Sequence, residues 1–297
     1  MYLNKKMSSN LQKEITYIDL FCGIGSFHYS FKKLGFKCVL SSDICEPAKI
    51  TYNHNHNMEP MGDICDIDPT SLPSYDILTA GFPCQPFSQA GHRRGFEDDK
   101  ENRGTMFAQV MKFVKTNKPK IVVLENVGHL LKHDKGKSFE KIKSDIEAEG
   151  YKVTYKILKC SDYGIPQMRK RLFIVGIKNT LEVSDARIAN FFNLEEYEKT
   201  TTLSQFLGKN FEKTTAYTIR CGGKRSPIDD RHNWDGYWLK NNNKKEEYRL
   251  TIDDALKLQG FENYELLGTQ TAKWKMLGNT IPTILTTIIG KQILKML

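Results

Sequence analysis

The chain has 297 residues, 39% of them hydrophobic, with 44 Lys and Arg against 35 Asp and Glu and a formal net charge of +9. That length buries a full core, one large domain plus a smaller one, and the cationic surplus fits either a solvated lysine-rich surface or a polyanionic partner such as nucleic acid. No apolar run reaches the ~18 residues of a membrane-spanning helix, the opening MYLNKKMSSNLQKE has no apolar signal-peptide core, and the seven scattered cysteines form no CxxC pair, which excludes a disulfide framework and fits a reducing cytoplasm.

In chain order, EITYIDLF is a predicted buried strand, broken by CGIGS, and FHYSFKKLG a helix closed by Gly35. FKCVLSSD is a second strand ending in an acid. His54, His56 and Cys65 follow at no zinc-ligand spacing, so a polar loop after a helix is expected there and no metal. YDILTAGF is a third strand. TMFAQVMKFVKTN is an amphipathic helix with Pro119 soon after it, and KIVVLENV a fourth strand, apolar on both faces. SFEKIKSDIEAEG is a helix with a glycine stop, and YKVTYKILKC and RLFIVGI are strands. Strands alternating with helices, several nearly continuous in apolar residues, predict a mostly parallel α/β sheet with helices on both faces. From about Thr180 to Arg249 the chain turns polar and irregular, with Tyr217, Trp234, Tyr237, Trp238 and Tyr248 among basic residues. Helical rhythm returns in TIDDALKLQG and ends in IPTILTTIIGKQILKML, an expected amphipathic C-terminal helix.

Four stretches carry candidate chemistry. In TAGFPCQPFSQAG, Pro83 and Pro86 deny Cys84 a helix or a regular central strand, so its thiol is presented rather than packed. In DLFCGIGS, a strand ends at Asp19 and a Gly-rich turn follows, with Asp43 ending the next strand. Lacking a third glycine, the turn fits an adenosyl group without pyrophosphate, S-adenosylmethionine first, or else an ordinary strand–helix turn. Glu125 and Asn126 end an apolar strand, where a carboxylate becomes a raised-pKa acid unless it turns to solvent. Gln167, Arg169 and Arg171 alternate, so in extended chain they point one way, toward an anion or carbonyl, or toward solvent at a strand edge.

With those residues in hand, the chain resembles the cytosine carbon-5 DNA methyltransferases of bacterial restriction–modification systems, over most of its length and in the family's motif order. DLFCGIGSF resembles the first cofactor motif, with Cys22 and Ser26 where Ala and Gly are commoner. SSDI resembles the second, with Asp43 for Glu, and GDI, at 62–64, the third. GFPCQPFS resembles the nucleophile motif, ENV the sixth, QMRKR the eighth, RLTIDDALKLQGF the ninth and LGNTIP the tenth.

The resemblance implies a Rossmann-like S-adenosylmethionine-dependent fold: residues 1–183, completed by 271–297, for catalysis and cofactor, and 184–270 as target-recognition domain and hinge. It implies cofactor contacts at Asp19, Phe21, Gly23, Gly25, Asp43, Ile44, Asp63, Ile64, Gly81, Pro83, Asn279, Thr280 and Ile281. Cys84 would add to cytosine carbon 6, Glu125 would bond N3 and the exocyclic amine, and Asn126 would hold the Cys84 loop. Arg169 and Arg171 would divide the cytosine carbonyl and loop support between them, with Gln167 in the same set. Residues 88–104 look like a lid, with Ser88, Arg93, Arg94 and Arg103 near DNA. Base reading falls to residues such as Arg220, Lys224, Arg225, Arg231 and Asn233, while Trp234 and Asp235 pack. The expected partners are double-stranded DNA and, functionally, a restriction endonuclease; the expected state is a cytoplasmic monomer. An RNA-acting relative would carry a longer nucleophile motif. A dead methyltransferase frame would lack Cys84 or Glu125, and a thiol enzyme would need a resolving Cys or a paired His.

Overall fold

The computed structural model describes residues 14–83, 106–194, 201–222, 226–241 and 244–297. Its centre is a six-stranded sheet in the order β2-β1-β3-β4-β6-β5. The strands are β1 (Thr16–Leu20), β2 (Lys37–Ser42), β3 (Ile77–Ala80), β4 (Ile121–Asn126), β5 (Tyr151–Lys159) and β6 (Lys170–Lys178). β2, β1, β3 and β4 pair in parallel, and β6 is antiparallel to both β4 and β5. The expected mostly parallel sheet is therefore present, with β6 alone reversed. An apolar run does not encode strand direction, so that reversal had no sequence signal.

Successive side chains of a strand take opposite faces. Ile121 and Val123 enter one apolar cluster, and Val122 and Leu124 the other. Helices α3 (Met106–Asn117) and α4 (Lys137–Ala148) cover the second face. Helices α1 (Ser26–Lys33) and α9 (Thr283–Met296) cover the first, packed on each other. The C-terminal helix exposes Lys291, Leu294 and Lys295 and buries Leu285, Ile288, Ile289 and Ile293, as an amphipathic helix does; its buried side also holds Thr283 and Thr286, whose hydroxyls bond the Gly260 carbonyl and the Ser30 hydroxyl.

The helix expected before the polar loop is α2 (Glu46–His56), and it carries both His54 and His56. His56 is buried and stacks on His28 with ring centroids 4.1 Å apart, while His54 pairs with Glu265. Among the described residues no cluster of three His, Cys, Asp or Glu is placed to hold a metal. None of the described helices is long and apolar enough to cross a membrane.

The irregular stretch contains two short helices, α5 (Asp185–Ala189) and α6 (Leu203–Leu207), and a hairpin, β7 (Gly236–Asn241) with β8 (Lys244–Arg249). Phe191, Phe211, Ile219 and Tyr237 join the same apolar cluster as Tyr17 and Phe31, so this stretch packs directly on one face of the sheet assembly. Helices α7 (Ile252–Leu258) and α8 (Gln270–Asn279) then return the chain to the sheet edge.

Candidate active site

The C-terminal ends of parallel strands collect ligand groups because the following turns splay apart there. Here β1 delivers Asp19, β2 Asp43, β3 Gly81 and β4 Glu125 and Asn126. They line a cavity of about 560 Å³, closed from the far end of the chain by Asn279, Thr280 and Ile281.

The turn after β1 is sharply bent: Phe21, Gly23 and Gly25 have φ of 57°, 55° and 82°. Phe21 and Gly23 line the cavity. Gly25 does not. Its backbone caps α1, and a β-carbon on it would meet His56 Nε2 at 2.5 Å. The Asp43 carboxylate accepts from Gly23 N at 2.8 Å and from Cys45 N at 2.7 Å, locking two turns together. Burial raises its pKa, against those backbone donors. Asp63, Ile64 and Pro83 also line the cavity.

Two features show that the residues fit a nucleoside sulfonium donor. Ile44 lines the cavity with 77% of its surface exposed, a bare apolar platform beside Asp43. Asp19, fully buried, accepts from Thr79 Oγ1 at 2.7 Å through Oδ1 but leaves Oδ2 without a partner. Burial pushes its pKa up to about 7, helped by the charge of Asp43 and opposed by the Thr79 bond. An orphaned carboxylate oxygen in a cavity wall suits a cationic or hydrogen-bond-donating ligand group.

Glu125 and Arg171 pair in the cavity wall. Arg171 Nε lies 2.8 Å from Glu125 Oε1, and both side chains are largely buried. Burial raises the Glu125 pKa, while Arg171 and then Arg169 oppose it. Asn126 donates from Nδ2 to the Phe82 carbonyl at 3.1 Å and accepts from Val127 N at 2.8 Å. It thereby fixes the backbone two residues before Cys84.

The expected alternation in QMRKR holds: Gln167 and Arg169 are buried, and Met168 and Lys170 exposed. Of the three, Arg171 lines the cavity. Arg169 donates to the Ile219 carbonyl at 2.9 Å and to the Gly278 carbonyl at 2.8 Å. Gln167 donates to the Leu258 carbonyl at 2.7 Å and accepts from Ile219 N at 3.3 Å. Both tie three distant segments together behind the site.

Of the expected DNA readers, Arg220 and Arg231 are exposed. Asn233 is buried: its Nδ2 donates to the Gly236 carbonyl at 2.9 Å and its Oδ1 accepts from Gly236 N and from Arg249, which ties the amide into its own turn. Trp234 and Asp235 are buried as expected. Cys84, Ser88, Arg93, Arg94, Arg103, Lys224 and Arg225 lie outside the described residues. Sequence reasoning missed Lys275, which lines the cavity from α8, and Ser26, whose hydroxyl donates to the Ile281 carbonyl at 2.6 Å across 255 residues.

A family model described as C-5 cytosine-specific DNA methylase matches residues 15–222. The type II methyltransferase M.DsaV of Dactylococcopsis salina is 32% identical over 308 residues, covering 95% of this chain and 87% of the relative. M.HaeII of Haemophilus aegyptius is 34% identical, covering 95% and 93%. Among solved structures, the Entamoeba histolytica methyltransferase EhMeth superposes with a TM-score of 0.71 at 16% identity, over 96% of this chain and 99% of that one, which establishes the shared fold. The acid-lined cavity at the strand ends and the buried Glu125–Arg171 pair thus belong to a member of the C-5 cytosine-specific DNA methylase family, a DNA cytosine-5 methyltransferase.

Proposed function

We propose that this enzyme methylates carbon 5 of a cytosine flipped out of a short, specific duplex DNA sequence, through covalent addition of Cys84 to carbon 6. The observation that carries the reading is the buried Arg171–Glu125 pair beside Pro83, the residue preceding Cys84. Carbon 5 of cytosine is a poor nucleophile. A thiolate added at carbon 6 makes the ring electron-rich at carbon 5, and sulfur is both a soft nucleophile and a competent leaving group. Glu125, held toward its protonated form by burial, donates to ring N3 and accepts from the exocyclic amine, offsetting charge as the thiolate adds. The Arg171 guanidinium donates to the cytosine carbonyl. Asn126, through the Phe82 carbonyl, holds the backbone leading to Cys84.

S-adenosylmethionine supplies the electrophilic methyl group when bound. Asp19, Asp43, Ile44 and the 279–281 segment are the residues placed to hold it. Removal of the carbon-5 proton through water then expels Cys84. Unstacking the target base costs a few kcal/mol, and closure of residues 88–104 over it, together with phosphate contacts, supplies the compensation. Sequence choice lies in the 184–270 domain, with 1–183 and 271–297 as the catalytic unit. The enzyme acts as a cytoplasmic monomer that protects host DNA from a cognate restriction endonuclease.

The test is bisulfite sequencing of mixed-sequence duplex DNA after incubation with the protein and S-adenosylmethionine. Protected cytosines within one short motif are expected. Cys84→Ala abolishes protection and keeps DNA binding; turnover retained in that variant refutes the nucleophile assignment, and no protected cytosine in wild type refutes the substrate.

A further inference from the structure

The bent turn after β1 is gripped from two sides. On the cavity side, Asp43 accepts from Gly23 N. On the other, the phenol of Tyr264 donates to the Ile24 carbonyl. Tyr264 is buried, lies in the segment joining α7 to α8, and is 240 residues from Ile24. We propose that Tyr264 is a positioning residue for the methyl donor: it holds the Ile24 carbonyl, and with it the Phe21–Gly25 turn, in the shape that forms one wall of the cavity. The proposal rests on reading this cavity as the donor site.

Three observations support it. First, the turn needs an external hold. Phe21 is a non-glycine residue in left-handed backbone, a conformation that persists only when its surroundings enforce it, whereas Gly23 and Gly25 adopt their positive φ freely.

Second, the segment carrying Tyr264 is itself fastened. The Asn55 side chain donates to the Glu265 carbonyl at 2.8 Å and accepts from Glu265 N at 3.0 Å. Thr51 Oγ1 accepts from Leu267 N at 3.1 Å, and Tyr29 Oη accepts from Glu262 N at 3.0 Å. The same segment leads into α8, which brings Asn279 to the opposite wall. One strap therefore sets both sides of the cavity.

Third, the space behind the turn is filled by neutral rings. His56 Nε2 lies 3.3 Å from Tyr264 Oη, His56 stacks on His28, and His28 Nδ1 lies 2.6 Å from Tyr52 Oη. Burial pushes the pKa of His28 down to about 4 and of His56 to about 3; Lys32 adds to the first and His28 to the second, while a bond from His56 to the Ile24 backbone opposes the second and gives the turn an additional hold. With the phenol proton committed to Ile24, the phenol oxygen accepts from His56, which fixes the Nε2–H tautomer there. Tyr264→Phe removes only the oxygen and leaves the ring packing in place.

The test measures S-adenosylhomocysteine binding by calorimetry and duplex-DNA binding without donor, on the full chain. Loss of a buried hydrogen bond predicts S-adenosylhomocysteine affinity weakened roughly three- to tenfold in Tyr264→Phe, with DNA affinity within twofold. Unchanged donor affinity, even with a lowered melting temperature, overturns the proposal. Should that variant not fold, Asn55→Ala loosens the strap from its far side and must weaken donor binding in the same direction; unchanged affinity there also overturns it. Wild type that fails to bind S-adenosylhomocysteine refutes instead the reading of the cavity.

Discussion

Gly278 lies flat against the Arg220–Cys221 peptide: a β-carbon built on it would sit 2.1 Å from Cys221 N and 2.3 Å from the Arg220 carbonyl carbon. Both obstacles are backbone, so neither can swing aside. Asn279, next in the chain, lines the cavity and accepts from Cys221 Sγ at 2.7 Å. A segment read as DNA-facing, with exposed Arg220, therefore leans directly on a cavity wall. Gly278→Ala is expected to destabilise the fold by about 1–3 kcal/mol, the range for overpacking, and to weaken donor and DNA binding together. Denaturant midpoints and both affinities check it; a change below about 0.5 kcal/mol, the surface-substitution range, would show that the two segments separate at no cost.

The two arginines of QMRKR should separate by experiment. Removing Arg169 leaves the Ile219 and Gly278 carbonyls unpaired in the interior. Arg169→Met is expected to cost about 2–6 kcal/mol, one to three for each stranded acceptor, measured by urea unfolding. Arg171→Met leaves no such pair of carbonyls, so its loss should appear in turnover rather than stability. Equal stability losses in both variants would contradict the division.

Glu125 carries the chemical step in this reading. Glu125→Gln keeps shape and neutrality but cannot pass a proton. Single-turnover methyl transfer should fall by roughly 10²–10⁴-fold, the range for general acid–base groups. Donor affinity should stay within twofold. The wild-type rate should decline on the alkaline side as Glu125 ionises, and that limb should vanish in the variant. A variant within tenfold of wild type would exclude Glu125 as the acid.

Much of this site is legible in the sequence, for a physical reason. Strand ends in an α/β sheet coincide with the ends of apolar runs, so Asp19, Asp43, Gly81 and Glu125 declare themselves in one dimension. What is hidden depends on contacts between distant segments. Gly25 looks like a ligand-approach glycine, yet the ring that forbids a β-carbon there is His56, 31 positions on. Asn233 looks like a base reader because it is polar, beside Arg231, and in a turn-rich stretch. Its amide bonds the Gly236 backbone three residues later, as turn asparagines often do. Tyr264 and Ser26 escape notice because their partners, Ile24 and Ile281, lie 240 and 255 residues away.

Asp19 gives the clearest pH dependence. Its pKa rises from 3.8 to about 7, first through burial. Between those values the folded state binds a proton that the unfolded state has released. Stability from this group is thus present at acid pH and lost as pH rises toward and through 7. Asp19→Asn cannot ionise, so its melting temperature should exceed that of wild type at pH 8 and show no such gain at pH 4. Function runs the other way. An ammonium entering the cavity favours the ionised carboxylate, so donor binding to wild type at pH 7, near the midpoint, should release about half a proton. Calorimetry of S-adenosylhomocysteine binding in buffers of different ionisation enthalpy reads that release directly. The Asn variant should bind more weakly and release none. Equal proton release from both proteins would place the titrating group elsewhere and leave the orphaned Asp19 oxygen without a role in donor binding.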